Sequence, residues 1–447
     1  VSIMTSSVPG RVRHPRSVVE HIDQYTYFQT QHPHFMQDQI FHRRDEPEYA
    51  GSRLAQQLQK GRLTTKEVAL IKNFLYERKA KKNLSNGRVA LYVNHLIRIR
   101  DFLPGPYDEM TTGAFMQAVS EIKTGKRLDG KRLSKSTIHD YILTLKVYSE
   151  WLTKKKIVNI PIEEIKEIKV PKAPLMTKTP DDMLTDEDMQ KLIGVCDNSK
   201  ERAIVACVFD GALRIEEAGY LRWRQIQKLK HGISISTDKK TGYPRYIPCP
   251  TAWTYLKTWK MDYPAIYGIP PEGDNFVFLT QKGEPYQYTG FQYLMKKFSR
   301  KLRKQGDKVL ADKLHFHLLR HSKLTAYAKQ NMNESILCKI GWGKRSAMVE
   351  RYVNLSQVDV EQAVMGIAGI KDMEVPKPIF VPGICPHCLC KEVPPTAAYC
   401  PECGTELTEE ALTETEMLVR SVKDNPLSLR KAVDKMVEEK LREIQAK

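Results

Sequence analysis

No run of apolar residues in this chain approaches the ~18 needed to span a bilayer, and its first thirty residues lack the apolar stretch of a secretory signal. The protein is therefore expected to be soluble, intracellular and free of any membrane partner. Acidic residues are in deficit, 53 Asp+Glu against 71 Lys+Arg, a formal charge of +18. Cysteine is sparse and odd in number, nine in 447 residues, which excludes a secreted disulfide framework. No internal repeat is visible. What is present is enough for packed cores: 41% hydrophobic and 28% charged residues exclude wholesale disorder. The length suits about three folding units.

The positive charge is concentrated. Residues 51–175 hold 25 basic and 12 acidic groups and residues 176–380 hold 32 and 23, whereas residues 1–50 (5 and 6) and 381–447 (9 and 12) are slightly acidic. A polyanion bound by the middle of the chain accounts for this pattern, because each phosphate neutralised releases condensed counterions.

Residues 1–50 show no sustained periodicity and read as an extension. From 51 to 160, four amphipathic patterns predict a small helical bundle: about 64–81 with Val68, Ile71, Phe74 and Leu75, then 87–102, 111–122, and a fourth from Ser136 as N-cap through Leu152. Residues 161–183, with four prolines by Pro180 and no helical stripe, read as a linker. A second unit, 184–370, opens with Thr185 as a helix cap followed by acids. Most of it is helical in pattern, but Gly232–Pro250 alternates as a β-hairpin does. The fold class is thus mainly α and multidomain, with one small β element. A cysteine module at 383–406 and a helical tail at 407–447, broken near Pro426, follow.

Five of the nine cysteines lie within nineteen residues. Cys385-Pro-His-Cys388 and Cys400-Pro-Glu-Cys403-Gly404 form two Cys-x-x-Cys turns that can point four thiolates at one tetrahedral ion, a closed structural zinc site. His387 and Cys390 are competing ligands. So short a segment has little apolar material, so metal supplies much of its folding energy.

A second constellation is dispersed over residues 210–352. Arg214 follows Asp210-Gly-Ala-Leu at the start of an apolar helix. His317 and Arg320 are three apart in His317-Leu-Leu-Arg320-His321, one helical face. Gly341-Trp342-Gly343 precedes Arg351-Tyr352. With a lysine on the hairpin turn, these are the groups that metal-free phosphodiester cleavage requires. Guanidiniums clamp nonbridging oxygens and stabilise a pentacoordinate transition state, the phenol attacks phosphorus, and acids protonate the leaving 5′ oxygen.

In their order and spacing, Gly-Ala-Leu-Arg-x-x-Glu, His-x-Leu-Arg-His and Gly-Trp…Tyr resemble the tyrosine recombinase (integrase) family over about residues 55–365. The resemblance implies a helical core-binding domain and a mixed helical catalytic domain that clamp DNA between them. It assigns Arg214 as first catalytic arginine, Glu217 as its acidic support, His317 and Arg320 as the His-x-x-Arg pair, His321 as a supporting neighbour and Tyr352 as nucleophile, with Tyr327 and Tyr246 misplaced for that role. Counting back from Arg245 in Arg245-Tyr-Ile-Pro248 gives Lys240 as catalytic lysine, with Lys239 the alternative. Trp342 stands where members often carry histidine. Its indole N–H can donate to a phosphate oxygen but cannot relay a proton, which shifts acid–base duty to His317 and Lys240.

The expected activity is site-specific recombination through a 3′-phosphotyrosine intermediate, by four protomers on two duplexes, without ATP or a catalytic metal. The partners are double-stranded DNA carrying a recombination site and, in some reactions, accessory proteins; a cytoplasmic, nucleoid-associated location follows. The Gly-Trp form with a C-terminal zinc ribbon looks most like archaeal or archaeal-element integrases. Two other readings stay open: type IB topoisomerase-like nicking and closing, and a non-catalytic DNA-binding protein on the same fold.

Overall fold

The computed structural model describes residues 41–126, 130–172, 182–238, 243–330, 332–353, 361, 364–370, 380–408, 410–414 and 417. Most of the extension and tail expected at 1–50 and 407–447 lies outside them. The described chain is mainly helical with one small sheet. None of its helices is long and apolar enough to cross a membrane. It divides into two units, 39–182 with 287–290, and the remainder.

The first unit contains α1 (Tyr49–Gln59), α2 (Thr65–Lys82), α3 (Asn86–Ile99), α4 (Thr112–Thr124), α5 (Lys135–Lys154) and the short α6 (Ile162–Glu167). Thr64 and Glu67 start α2 with a capping box, each side chain accepting from the other's backbone N–H. Glu67 is fully buried and also accepts from Arg100 Nε at 2.8 Å and Tyr107 N at 3.1 Å, so its charge is paired and hydrogen-bonded. Ile71, Phe74 and Leu75 meet Val93, Leu96, Phe115, Leu145 and Tyr148 in one core. The Phe74 and Tyr148 rings stand edge to face, 5.0 Å apart. The cap of α5 is Ser134, which accepts from Thr137 N, two residues earlier than the sequence suggests. Within the stretch read as a linker, Ile165 is buried on α6. The outward faces of α2 and α3 carry Lys72, Lys79, Lys81, Lys82, Arg88 and Arg98.

The second unit is built on α8 (Ser199–Asp210), of which every residue but Arg202 is buried. Around it lie α7 (Asp186–Gly194), capped by Thr185 as expected, α9 (Ile215–Gly219), α10 (Ala252–Tyr267), α11 (Tyr288–Lys304), α12 (Lys308–Lys313), α13 (Phe316–Lys329), α14 (Glu334–Trp342) and the single turn α15 (Glu350–Val353). The expected hairpin is part of a three-stranded antiparallel sheet, β1 (Ile226–Lys228), β2 (Ile233–Thr237) and β3 (Arg245–Cys249), in the order β1-β2-β3. Ile235 pairs with Ile247, and Thr237 with Arg245. Strand alternation buries Arg245, Ile247 and Cys249 on one face of β3.

Candidate active site and metal centre

Leu213 ends the approach to α9, and Arg214 occupies its N-cap position, with extended backbone. Glu217, one turn in, reaches back. Its Oε2 accepts from Arg214 N at 2.6 Å and its Oε1 from Arg214 Nη1 at 2.7 Å. Oε2 also pairs with Arg245 Nη2, from the inner face of β3. The side chains of Glu217 and Arg245 are 1% and 0% exposed, and that of Arg214 is 30% exposed. One buried carboxylate therefore ties two guanidiniums, of which the more open one can meet a ligand.

On α13, started by His315 Nδ1 accepting from Leu318 N at 3.0 Å, Arg320 points inward. Its Nη2 donates to the Gly341 carbonyl at 2.5 Å and its Nη1 to the Ala212 carbonyl. Arg214 Nη2 reaches the same Gly341 carbonyl at 3.3 Å, and Arg245 Nη1 donates to Ile340 O. Three guanidiniums thus converge where α14 ends. Burial first, then the charges of Arg245 and Arg214, pull Arg320 down to about 9, which leaves it cationic at neutral pH. Gly343 turns the chain out of α14 at φ +71°. A Cβ there would lie 2.7 Å from Pro244 O and 2.9 Å from Tyr243 Cβ, so only glycine lets the α14 end lie against the start of β3.

Tyr352 is buried on α15, and its hydroxyl lies 2.6 Å from His321 Nδ1, the two rings 5.6 Å apart at 30°. Trp342 stands between the cationic cluster and the phenol, its ring 5.6 Å from the Arg320 guanidinium carbon and 5.7 Å from the Tyr352 ring. The structure brings together Arg214, Glu217, Arg320, His321, Trp342 and Tyr352. His317 lies one turn before His321, ring centroids 6.0 Å apart, on the exposed side of α13. Lys240 and Lys239 lie outside the described residues.

Residues 182–358 match the family model described as the phage integrase family. This stretch is a phage integrase domain. No curated protein matches the chain. Among solved structures it is similar to the Tn1549 transposon integrase in complex with circular intermediate DNA (18% identity, 66% of this chain and 98% of that one, TM-score 0.47). It is also similar to the XerH recombinase bound to palindromic difH substrate (15%, 73% and 98%, 0.46) and to a lambda integrase dimer bound to a COC' core site (15%, 64% and 94%, 0.46).

Two features of the phage integrase domain escape a reading of its motifs. Arg245 serves there only as a register mark, although strand alternation with Ile247 and Cys249 points it inward. Lys323, one turn beyond Arg320, is buried and pairs with fully buried Asp210 at 2.8 Å. Asp210 also accepts from the backbone N–H groups of Thr251 and Ala252 at 2.7 and 3.0 Å, linking α8, α10 and α13 behind the arginines.

In the cysteine module the two turns repeat one geometry. Leu389 N donates to Cys385 O at 3.1 Å and Gly404 N to Cys400 O at 2.9 Å, with φ +58° and +74°. This brings the sulfurs of Cys385, Cys388, Cys400 and Cys403 within 4.8 Å of one another. The pairs Cys385–Cys403 and Cys388–Cys400 lie 3.6 Å apart. A tetrahedron of bonds ~2.3 Å long has edges of about 3.8 Å, so the four thiols fit a metal ion. Cys390 Sγ instead accepts from Glu392 N at 3.4 Å.

Proposed function

We propose that this protein is a site-specific DNA recombinase that cuts and rejoins strands through a 3′-phosphotyrosine. The observation that carries the reading is the convergence of Arg214 and Arg320 on the Gly341 carbonyl, with Trp342 bridging to a Tyr352 hydroxyl held by His321. The match of residues 182–358 to the phage integrase family supports it.

The arginines would exchange a backbone oxygen for the nonbridging oxygens of the scissile phosphate, which offers them full negative charge. Tyr352 Oη attacks phosphorus and its proton passes to His321 Nδ1. The P–O5′ bond breaks, and the 5′ oxygen leaves with a proton from Lys240, the family's pattern position. A 5′-hydroxyl from the partner duplex then reverses the step, so the bond energy is retained. Two such rounds on two duplexes call for four protomers. The exposed lysines and arginines of α2 and α3 supply phosphate contacts. The four-cysteine site holds a structural zinc ion, whose chemistry is to cross-link the two turns, and the reaction itself uses none.

A nicked suicide duplex of the recombination site tests the reading. Wild type becomes covalently joined to a 3′ end, and Tyr352→Phe binds the same duplex without forming adduct. Adduct persisting in Tyr352→Phe refutes the nucleophile.

A further inference from the structure

The slightly acidic charge of residues 381–447 suggests a surface for another protein, but two acids of the cysteine module are paired at the surface with lysines of the same chain. Glu392 Oε1 accepts from Lys228 Nζ and from Gly232 N at 3.3 Å, both at the β1–β2 turn. Glu402, between the last two ligand cysteines, accepts from Lys257 Nζ on α10 at 2.7 Å. The Thr396 hydroxyl lies 3.0 Å from Tyr255 Oη on the same helix.

Just before the module, Phe380 is fully buried in the phage integrase domain, parallel to Tyr255 (5.7 Å, 6°) and edge-on to Phe209 (5.8 Å, 89°). Its backbone is held at φ +52°, unusual for a residue with a large side chain. Both its polar groups are pinned, the N–H to Asp186 Oδ1 at 2.5 Å and the carbonyl by Thr251 Oγ1 at 2.7 Å. Thr251 is the residue whose N–H Asp210 holds, and Asp210 is the partner of Lys323 on the helix that carries Arg320 and His321. The module's own buried core is Cys385, Val393 and Cys400 alone, two of them ligands. A core this small gains much of its stability from a cross-link such as a bound ion.

We propose that the four-cysteine module is a metal-set brace of the integrase domain. The ion fixes Glu392, Thr396 and Glu402 in the spacing that docks on the β1–β2 turn and α10, and docking keeps Phe380 seated behind the active-site helices. The proposal rests on the four-thiolate site and does not depend on the DNA chemistry.

Hydrogen exchange on the full-length protein tests it, with zinc bound, with zinc stripped by a chelator, and with zinc restored. Stripping should speed exchange about tenfold or more in 226–232 and 251–257, leave α2 and α5 unchanged, and reverse when zinc is added back. The double variant Glu392→Gln/Glu402→Gln, still carrying one zinc per chain, should show the same local acceleration. Unchanged protection at the β1–β2 turn after stripping, or in that loaded variant, overturns the brace. Far less than one zinc per chain in the wild type overturns the metal premise instead, and neither result bears on strand cleavage.

Discussion

Glu217→Gln removes one charge and almost no volume from the most buried part of the site. The carboxylate faces Arg245, whose side chain is 0% exposed, and Arg214, whose side chain is 30% exposed. Arg214 can turn toward water and recover much of its solvation, but Arg245 cannot. Breaking a buried ion pair from one side costs about 3–5 kcal/mol, because the remaining charge is left uncompensated. The glutamine oxygen keeps the hydrogen bond from Arg214 N, so the cap survives and the loss falls near the lower end of that range. In a unit of this size ~3 kcal/mol corresponds to a fall in Tm of about 6–12 °C. Of the five tryptophans, only Trp151 lies in the other unit. Urea unfolding followed by tryptophan fluorescence in a Trp151→Phe background therefore reports the integrase domain. The midpoint should drop with the slope unchanged. Adding Arg245→Met, which removes the stranded charge, should recover at least half of the loss. A loss below about 1 kcal/mol, or a double variant no better than the single, would refute the view that this carboxylate holds the arginines.

Three further outcomes follow from the geometry. His321→Asn keeps an acceptor near the Tyr352 hydroxyl but cannot take its proton. Adduct formation on the suicide duplex should slow by roughly 10²–10⁴ with binding intact, and a wild-type rate would leave His321 as packing alone. Gly343→Ala combines left-handed backbone with a 2.7 Å clash against Pro244 O, whereas Gly268→Ala meets a similar φ with nothing within 4 Å. Thermal unfolding should show a loss of about 2 kcal/mol or more for the first and about 1 kcal/mol for the second; equal losses would contradict the close approach. Burial pulls the Lys200 amine down from 10.5 to about 8. Below pH 8 both folded and unfolded chains carry the proton; between 8 and 10.5 the unfolded chain holds more, so this lysine makes stability rise with pH. The stability of wild type minus that of Lys200→Met should increase across that window, and a flat or falling difference rules the burial penalty out.

How much of this was legible beforehand depends on whether the information is local. Arg214, Arg320 and Tyr352 could be singled out because each stands at a set place relative to neighbours in the chain: a glycine-led helix start, a histidine three residues earlier, a Gly-Trp turn ten residues before. The two Cys-x-x-Cys turns are local in the same sense. The bundle shows in the 3.6 period of Ile71, Phe74 and Leu75, although the α5 cap falls at Ser134 because it is the Ser134 hydroxyl that accepts from Thr137 N. Strand β1 is invisible in sequence: three residues, Ile226–Lys228, partly buried at the first and exposed at the other two, leave no alternation to read. Helix α6 is hidden among prolines that also suit a linker.

What the sequence hides most completely is the pairing of distant charges. Strand alternation points Arg245 inward, but nothing local names its partner until Glu217, 28 positions away, is placed against it. Lys228 and Glu392 are 164 positions apart, and each alone reads as a solvated side chain. The segment charges point in a useful direction without naming a partner: a basic middle and an acidic module suggest attraction, and in the fold the acids meet lysines of the same chain. The consequence bears on function. Lysines 228 and 257 count among the 32 basic groups of residues 176–380, yet both are paired with glutamates of the module. The domain's usable positive charge is therefore smaller than its sequence total. Salt-dependence slopes of DNA binding should reflect the exposed lysines and arginines of α2 and α3, less Lys81 that Glu77 holds, together with the site arginines, and should steepen when the module is released.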